Sequence, residues 1–283
     1  MLRLRIRATS ESPFREDGLV RVHQWQDVAG SVCAHGYVGA GARWMRWPGF
    51  TTFRFDDAGE VEAFPERQVD PSRILDLFHR TVEPLILQAL GWETLHASAV
   101  VMPTGLVGFC GECESGKSTI AYSLSRRGYR QHADDSVVFR PEPRAIRALD
   151  LSFGVRLRPE AATFFGFTSD GRPLQNIGPI GQRDADRIST EPLSALFVLT
   201  RIPAGEPIVD RLSPSAAFQA LLPHARCFDA EDAGVRRRLL EHYLDLAAAI
   251  PVYDLRFAPG LDQLLAVLSC IESCTEAAQA EPV

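Results

Sequence analysis

The most informative scarcity in this 283-residue sequence is that of lysine. Lys117 is the only lysine among 30 lysine and arginine residues. A general preference for arginine explains the missing lysines but not the one that is present. An ammonium is a compact point charge, whereas a guanidinium is a broad planar group. We therefore expect Lys117 to perform a task that an arginine could not.

Long hydrophobic runs are also absent, although 46% of the residues are hydrophobic. The longest apolar stretches, such as Leu196 to Leu199 and Leu246 to Val252, fall far short of the roughly 20 residues that span a bilayer. The first residues alternate apolar and basic side chains, which predicts a strand rather than a secretory signal peptide. We expect no transmembrane helix, no membrane partner and a cytoplasmic location.

An excess of positive charge and a cysteine framework are missing too. The formal net charge is -6, and no long basic tract stands out, which argues against non-specific nucleic-acid binding. Six cysteines in a chain of this length do not form a disulfide scaffold. Cys110 and Cys113 make a C-x-x-C pair, but no His/Cys cluster accompanies it, so we predict no metal or redox role there.

The sequence divides into a β-rich N-terminal unit, a connecting helix and a larger domain. Residues 1–66 contain short strands punctuated by turns, predicted at Leu2 to Ala8, Leu19 to Trp25, Ser31 to Val38, Thr51 to Phe55 and Val61 to Phe64. Residues 67–92 carry apolar side chains at helical spacing, and Pro84 within them should bend or divide the helix. Strands and helices alternate over residues 93–275, which predicts an α/β domain. Its predicted strands include Leu95 to Met102, Ala195 to Thr200 and Val252 to Phe257. Residues 276–283 are expected to fray.

Two local signals refine this division. Asp70 followed by Pro71 predicts the start of the connecting helix, as its N-cap and first helical residue. The stretch from Gly166 to Pro192 is rich in Gly, Asp, Arg and Pro and is too long for an ordinary connection. We expect this stretch to be a functional loop or lid.

The motif at residues 111–118 accounts for the single lysine. It has the spacing G-x-x-x-x-G-K-S, and it follows a predicted strand, Leu106 to Cys110, and precedes a predicted helix, Ser118 to Arg127. In this context main-chain N–H groups form a cradle for phosphate at the helix N-terminus. We predict that a nucleoside triphosphate is bound by Gly111, Glu112, Cys113, Glu114, Ser115, Gly116, Lys117, Ser118 and Thr119.

Further candidates lie on either side of the motif. In the usual geometry Lys117 bridges the β- and γ-phosphates and the Ser118 hydroxyl ligates Mg²⁺. Asp134 and Asp135 follow the next strand, where one carboxylate can hold Mg²⁺ and the other can accept the proton of an attacking hydroxyl. His96 lies on the strand leading toward the loop, and by itself it is more typical of a hydrogen-bonded core residue than of a functional one.

Three segments together resemble the catalytic core of the HPr kinase/phosphorylase family: Leu95 to Val101, Val107 to Ser118, and Arg127 to Asp135. In that family a histidine, a phosphate loop and two aspartates occur in this order and at similar spacing. The resemblance covers about residues 94–140. It implies an α/β fold with a P-loop kinase core of the HPr kinase / PEP carboxykinase-like type and a small β-rich N-terminal unit.

The resemblance also implies an activity. The chain would be an ATP- and Mg²⁺-dependent kinase that transfers the γ-phosphoryl group to a hydroxyl, expected to be serine, of a peptide or small protein. Carried over by position, Asp134 would be the catalytic base, with His96 and Lys117 near the γ-phosphate, and Asp135 would support Mg²⁺ together with Ser118. Related enzymes form symmetric assemblies, so a homo-oligomer is compatible with the resemblance.

The sequence departs from the family in ways that bear on the acceptor. The glycine-rich signature that follows the aspartates in bifunctional members is not legible in residues 151–159, so the resemblance does not extend to phosphorylase activity or to HPr as substrate. Arg156 and Arg158 in this segment are candidates for phosphate contacts. The arrangement is closer to HPr-kinase-like proteins that modify ribosomally made peptides, including lasso-peptide kinases.

Two other functions stay open at this point. A kinase of a small-molecule alcohol would need the same Asp134, so the sequence does not separate it from a peptide kinase. A regulatory module that binds ATP without transferring phosphate would tolerate loss of Asp134. For a peptide kinase, the candidate acceptor-binding surfaces are the stretch Gly166 to Pro192 and the N-terminal unit.

Overall fold

A computed structural model describes residues 2–8, 12–26, 29–39, 41–151, 154–168, 175–177 and 189–280. The chain forms two units, one of residues 1–92 with 226–240 and one of residues 93–225 with 241–283. Within the described ranges, no helix has both the length and the apolar character needed to cross a bilayer.

The first unit is built on a six-stranded sheet. Its strands are β1 (Arg3–Ile6), β2 (Val20–Gln26), β3 (Val32–Gly39), β4 (Ala42–Trp47), β5 (Thr51–Phe55) and β6 (Glu60–Pro65). They lie in the order β1-β6-β5-β4-β3-β2, with β1 parallel to β6 and the other pairs antiparallel. The sequence analysis missed β4, because Trp44 and Met45 are adjacent and both buried, which removes the alternation typical of a half-buried strand.

A helical segment follows this sheet in the chain. It consists of α1 (Pro71–Leu77), a π-helical turn (Phe78–Val82) and α2 (Glu83–Ala89). The Asp70 cap is confirmed, since its carboxylate accepts a hydrogen bond from the Ser72 N–H at 2.9 Å. The division predicted at Pro84 takes the form of the π-helical turn just before it, because proline has no N–H and its ring crowds the preceding turn.

The core of the first unit includes a residue from far along the chain. Phe78 and Leu85 of the helical segment pack with Phe53 and Phe55 of the sheet, and Phe228 belongs to the same buried cluster. The rings of Phe55 and Phe228 lie 5.3 Å apart, edge to face. The first unit is therefore completed by residues that follow most of the second unit in sequence.

The second unit contains a larger mixed sheet. Its strands are β7 (Glu93–Leu95), β8 (Ala97–Met102), β9 (Gly105–Gly111), β10 (Arg130–Ala133), β11 (Val137–Glu142), β12 (Ala145–Leu149), β13 (Val155–Leu157), β14 (Gln175–Ile177), β15 (Thr190–Arg201), β16 (Ile208–Arg211), β17 (Ala225–Arg226) and β18 (Val252–Phe257). The main order is β10-β8-β9-β15-β12-β11-β7-β17; β18 pairs with β15 and β16, and β13 pairs separately with β14.

The helices from residue 117 onward are α3 (Lys117–Arg126), α4 (Pro159–Phe164), α5 (Pro214–Leu221), α6 (Ala233–Ala249) and α7 (Leu264–Ala280), with a 3-10 turn at Leu222–His224. α7 continues to Ala280, and residues 281–283 lie outside the described ranges, so the expected fraying of residues 276–283 stays a prediction. Thr275 near the end of α7 is only 3% exposed, so packing stabilises this part of the helix.

Most of the predicted loop from Gly166 to Pro192 lies outside the described residues. Two of its parts are described as strands rather than loop, namely β14 and the first residues of β15. β14 is antiparallel to β13, with Asn176 opposite Arg156. The predicted strand 195–200 therefore begins earlier than expected, at Thr190.

Three neighbouring strands place the candidate site. β9, β15 and β18 run parallel, with Leu199 opposite Gly111 and Arg201 opposite Phe257. Their carboxyl ends therefore meet at one edge of the sheet, which is the edge where α/β proteins bind ligands. The loop between β9 and α3 lies at this edge.

Candidate active site

The loop between β9 and α3 has the backbone geometry of a phosphate-binding loop. Gly111 has φ +149° and Gly116 has φ +106°, values that side-chain-bearing residues rarely adopt. A Cβ atom on Gly111 would lie 2.8 Å from the Ser115 Oγ and 3.0 Å from the Leu199 carbonyl oxygen. α3 begins at Lys117, so its N-terminal N–H groups favour an anion at the loop.

Two polar groups inside the loop fit a polyphosphate. The Lys117 side chain is buried, and its Nζ donates to the carbonyl oxygens of Gly111 at 2.9 Å and Glu112 at 2.8 Å. The Ser115 Oγ is buried without a hydrogen-bond partner within the described part of the chain. Buried polar groups need partners, and phosphate oxygens would supply acceptors for both groups.

Asp134 lies beneath the loop and is fully buried. Its Oδ1 accepts from the Ser98 hydroxyl at 2.8 Å, its Oδ2 accepts from the Arg156 N–H at 2.9 Å, and the Ser118 hydroxyl also donates to it. Burial raises the pKa of Asp134, and the charge of Asp135 raises it further, against the lowering effect of the three hydrogen bonds. Asp134 is thereby linked to the hydroxyl that the motif assigns to Mg²⁺.

Asp135 lies on a cavity wall next to His96. Its φ of +68° is unusual for a residue other than glycine. The Asp135 carbonyl oxygen lies 2.9 Å from His96 Nδ1. Because a carbonyl can only accept, Nδ1 carries a proton, and Nε2 is the acceptor atom of the neutral ring.

The predicted continuous strand from Leu95 to Met102 is wrong at His96. The structure has two strands, β7 and β8, with His96 between them. Its main-chain N–H donates to the His224 carbonyl oxygen at 2.7 Å. This contact joins residues far apart in sequence, so local propensity could not reveal it.

One cavity brings most of the predicted site residues together; we call it the His96–Asp135 cavity. Its volume is about 170 Å³, and it is lined by His96, Cys113, Glu114, Gly116, Lys117, Ser118, Thr119, Asp135, Arg156 and Arg158. Gly111, Glu112 and Ser115 belong to the loop but do not line this cavity. Asp134 does not line it either, so the aspartate on the cavity wall is Asp135, the one to which the sequence assigned magnesium.

Two arginines add positive charge to this cavity. Arg156 and Arg158, both predicted as candidates for phosphate contacts, lie on its wall. The Arg158 Nη2 contacts the Glu114 Oε1 at 2.6 Å. Arg158 therefore offsets the negative charge that Glu114 brings to a loop predicted to bind an anion.

The oxygen donors near the loop suit magnesium. Mg²⁺ in phosphoryl-transfer sites is bound through one or two carboxylates together with phosphate oxygens. Ser118, Asp134 and Asp135 are donors of this kind. In the described ranges, no group of three or more His, Cys, Asp or Glu residues could hold a metal ion without such help.

The two cysteines of the C-x-x-C pair have different surroundings. Cys110 at the end of β9 is fully buried, and burial raises the pKa of its thiol to about 12. Cys113 is exposed in the loop. The Cys110 thiol is therefore almost entirely protonated at neutral pH and acts as a small apolar core residue.

Three residues near the site were not among the predicted site residues, namely Ser98, Arg201 and Phe257. Ser98 reaches Asp134 because β8 and β10 are antiparallel neighbours, with Ala99 opposite Ala133. Arg201 and Phe257 reach the loop through the parallel register of β15 and β18. A usable signal was the position of the last two at the ends of predicted strands, where open α/β sheets bind ligands.

No protein-family model matches the chain, and no curated protein is significantly similar to it. Among solved structures, the chain is similar to the Hpr(Ser) kinase/phosphatase from Coxiella burnetii, with 14% sequence identity and a TM-score of 0.37. The similarity covers 66% of this chain and 93% of that chain. A likeness of this size does not establish an activity, so the function rests on the residues of this chain.

Proposed function

We propose that this chain is an ATP- and Mg²⁺-dependent kinase that transfers the γ-phosphoryl group to a hydroxyl. One observation carries the proposal: Lys117 of the phosphate loop and Asp135 line the same cavity. A module that only binds nucleotide needs the loop alone. A carboxylate beside the loop is what phosphoryl transfer to a hydroxyl requires.

The proposed roles of the two aspartates are exchanged relative to the sequence-based assignment. Asp135 accepts the proton as the acceptor oxygen bonds to the γ-phosphorus and the bond from that phosphorus to ADP breaks. A serine hydroxyl is too weak an acid to ionise beforehand, so this proton moves late. Asp134 cannot act in this way because it is buried; it orients the Ser118 hydroxyl from below.

The remaining residues of the site position its reacting groups and neutralise the charge of the phosphates. Lys117 bridges the β- and γ-phosphates, while Arg156 and Arg158 face the charge on the phosphate oxygens. Bound Mg²⁺ supplies further neutralisation of that charge. His96 acts as a positioning residue, because its Nδ1–H holds the main-chain carbonyl of Asp135.

The proposed acceptor is a serine of a peptide or small protein, such as a ribosomally made precursor peptide. This part of the proposal is supported by the sequence resemblance alone, through His96, the phosphate loop and the aspartate pair. A small-molecule alcohol is the alternative that the test must be able to detect.

The test is transfer from γ-labelled ATP with Mg²⁺ to separate pools of peptides and metabolites. We expect labelled peptide product from the wild type and none from Lys117→Ala. Asp135→Asn should keep nucleotide binding and lose about 10²–10⁴-fold in kcat. Asp134→Asn should lose about 10–100-fold, with a higher Mg²⁺ requirement, as expected of a residue that orients a ligand.

The matched control is Asp210→Asn, because Asp210 is an exposed carboxylate that pairs with Arg256 away from the loop. It should transfer phosphate at the wild-type rate. Product in the metabolite pool only would replace the peptide acceptor by an alcohol. Tight nucleotide binding without product in either pool would contradict the kinase assignment, and near-normal transfer by Asp135→Asn would contradict its role as base.

A further inference from the structure

A second cavity borders the phosphate loop; we call it the Arg201–Phe257 cavity. Its volume is about 280 Å³. Glu114, Gly116, Thr119 and Arg158 line both this cavity and the His96–Asp135 cavity. The loop is therefore shared by two cavities, and a ligand held by the loop can extend into either.

The two cavities differ in chemistry. Both cavities have ionisable residues on their walls, but the Arg201–Phe257 cavity also has an apolar wall that includes Ile120, Leu264 and Val267. These three residues belong to the buried core of the second unit. An apolar wall beside a phosphate site suits the part of a ligand that carries no phosphate, because ligand pockets combine apolar walls with a few polar groups.

The Arg201 side chain contacts the end of β18 and lies next to the phosphate loop. Its Cζ lies 4.3 Å from the centre of the Phe257 ring, and its Nη1 donates to the Ala258 carbonyl oxygen at 3.1 Å. Its Nη2 lies 3.1 Å from the position that a Cβ atom on Gly116 would take. One face of the guanidinium thus packs on Phe257 at the end of β18, beside the phosphate loop, while Arg201 as a residue is exposed.

No carboxylate of the described residues forms an ion pair with this guanidinium, although Glu114 and Glu160 line the same cavity. Among the residues that the structure describes, its polar contact is with a main-chain carbonyl, and partial burial lowers the pKa of Arg201. The adjacent Arg256 instead pairs with Asp210 and Asp254. Arg201 is therefore placed for a ligand rather than for an ion pair within the protein.

We propose that the Arg201–Phe257 cavity binds the nucleoside half of the nucleotide, with the base stacked on the Arg201 guanidinium. The proposal rests on the proposed function, because it extends the ligand of the same loop. Nucleic-acid bases stack readily on aromatic rings and on guanidinium planes. The phosphates then pass Gly116 and Thr119 toward Lys117, which directs the γ-phosphate to Asp135.

The experiment compares two probes, ATP and inorganic tripolyphosphate, by calorimetric titration of the full chain. Wild type should bind ATP more tightly than tripolyphosphate. Arg201→Ala and Phe257→Leu should weaken ATP by about 10- to 100-fold, the range expected for loss of base stacking. Both variants should leave tripolyphosphate affinity within about threefold, whereas Lys117→Ala should weaken both probes.

Two further variants separate stacking from charge and from general damage. Arg201→Lys keeps the charge but loses the plane, so it should weaken ATP nearly as much as Arg201→Ala. Arg256→Ala removes an arginine from the same strand as Phe257 and should change neither affinity. Melting temperatures near the wild-type value verify that each variant is folded, and Arg201→Lys stands in should Phe257→Leu fail this requirement.

Several results would overturn the proposal. These are equal wild-type affinities for the two probes, equal weakening of both by Arg201→Ala, and full ATP affinity in Arg201→Lys. Each of these leaves Lys117-dependent phosphate binding intact, so the proposed kinase would survive. Failure of wild type to bind either probe would overturn the proposed function and the nucleoside site together.

Discussion

Asp134 and Asp135 are neighbours in the chain but meet different surroundings. Asp134 is enclosed by Ser98, Ser118 and the Arg156 main chain, whereas Asp135 borders the His96–Asp135 cavity. Burial raises the pKa of Asp134, so the folded chain without ligand binds its proton more tightly than the unfolded chain does. The ionised Asp134 carboxylate, which is proposed to orient the Ser118 hydroxyl, therefore lowers the stability of the folded chain.

This cost should be visible in the pH dependence of stability. The stability that the Asp134 proton contributes is present below the unfolded-state pKa, near 4, and is lost as pH rises through the higher folded-state pKa. Asp134→Asn removes that loss. The melting temperature of the variant minus that of wild type, without nucleotide or Mg²⁺, should therefore increase between about pH 4 and pH 8, by ~2–4 °C for each kcal/mol.

Differential scanning fluorimetry with an external dye measures this difference. Asp210→Asn, which changes an exposed carboxylate, should give a difference that stays nearly constant over the same pH range. A difference for Asp134→Asn that is constant or declines toward pH 8 would contradict the raised pKa.

The candidate site was predictable where chemistry requires particular residues at particular spacing. The loop from Gly111 to Thr119, His96 and the aspartate pair could be named because phosphate binding and proton transfer restrict residue type strongly. The division of work between Asp134 and Asp135 could not, because it depends on which side chain faces the cavity. Arg201 could not be singled out from the other arginines, since its position follows from strand register.

β9, the strand that leads into the phosphate loop, packs closely against β15. Gly108 on β9 lies opposite Leu196 on β15, and both residues are buried. A Cβ atom on Gly108 would lie 2.6 Å from the Leu196 Cδ2. Because Gly108 has no side chain, the complete Leu196 side chain can pack against the β9 backbone at this position.

Gly108→Ala should therefore destabilise the second unit through overpacking, by ~1–3 kcal/mol. Chemical denaturation followed by far-ultraviolet circular dichroism measures this effect. Adding Leu196→Val to Gly108→Ala should restore part of the loss, because it removes the carbon atom that the new methyl group meets. Equal stability of Gly108→Ala and wild type would contradict the close approach.

The elements that the sequence predicted best are those with local signals. β5 and β18 were predicted at their observed bounds, and α3 within one residue at each end, because periodicity and capping are properties of neighbouring residues. β4 was missed because residues on both sides of the sheet bury its side chains. The break at His96 was missed because its cause is a contact with His224.

The first unit is formed by two segments of the chain, residues 1–92 and 226–240, which are separated in sequence by residues of the second unit. The core of the first unit contains Phe228, which comes from the second segment and is only 1% exposed. Its main-chain N–H donates to the Gln88 Oε1 at 2.9 Å. The four tryptophans of the chain, Trp25, Trp44, Trp47 and Trp92, all belong to this unit, so tryptophan fluorescence reports on it.

Phe228→Ala in the full chain should lower the stability that tryptophan fluorescence detects by ~3–5 kcal/mol, because it leaves a cavity in a buried aromatic cluster. Urea denaturation measures the change. ATP affinity is the internal control, since the residues proposed to bind nucleotide lie in the second unit. A fluorescence-detected transition unaltered by the substitution would contradict the assignment of Phe228 to this core.

The burial of Lys117 has a consequence for proteolysis. An endoproteinase specific for lysine has one internal peptide bond to cleave in this chain, and that bond follows a side chain only 7% exposed at the first turn of α3. Cleavage must therefore await local opening of the helix start. The rate at which the two fragments accumulate therefore reports how often the helix start opens. A ligand that keeps this turn closed should slow the cleavage.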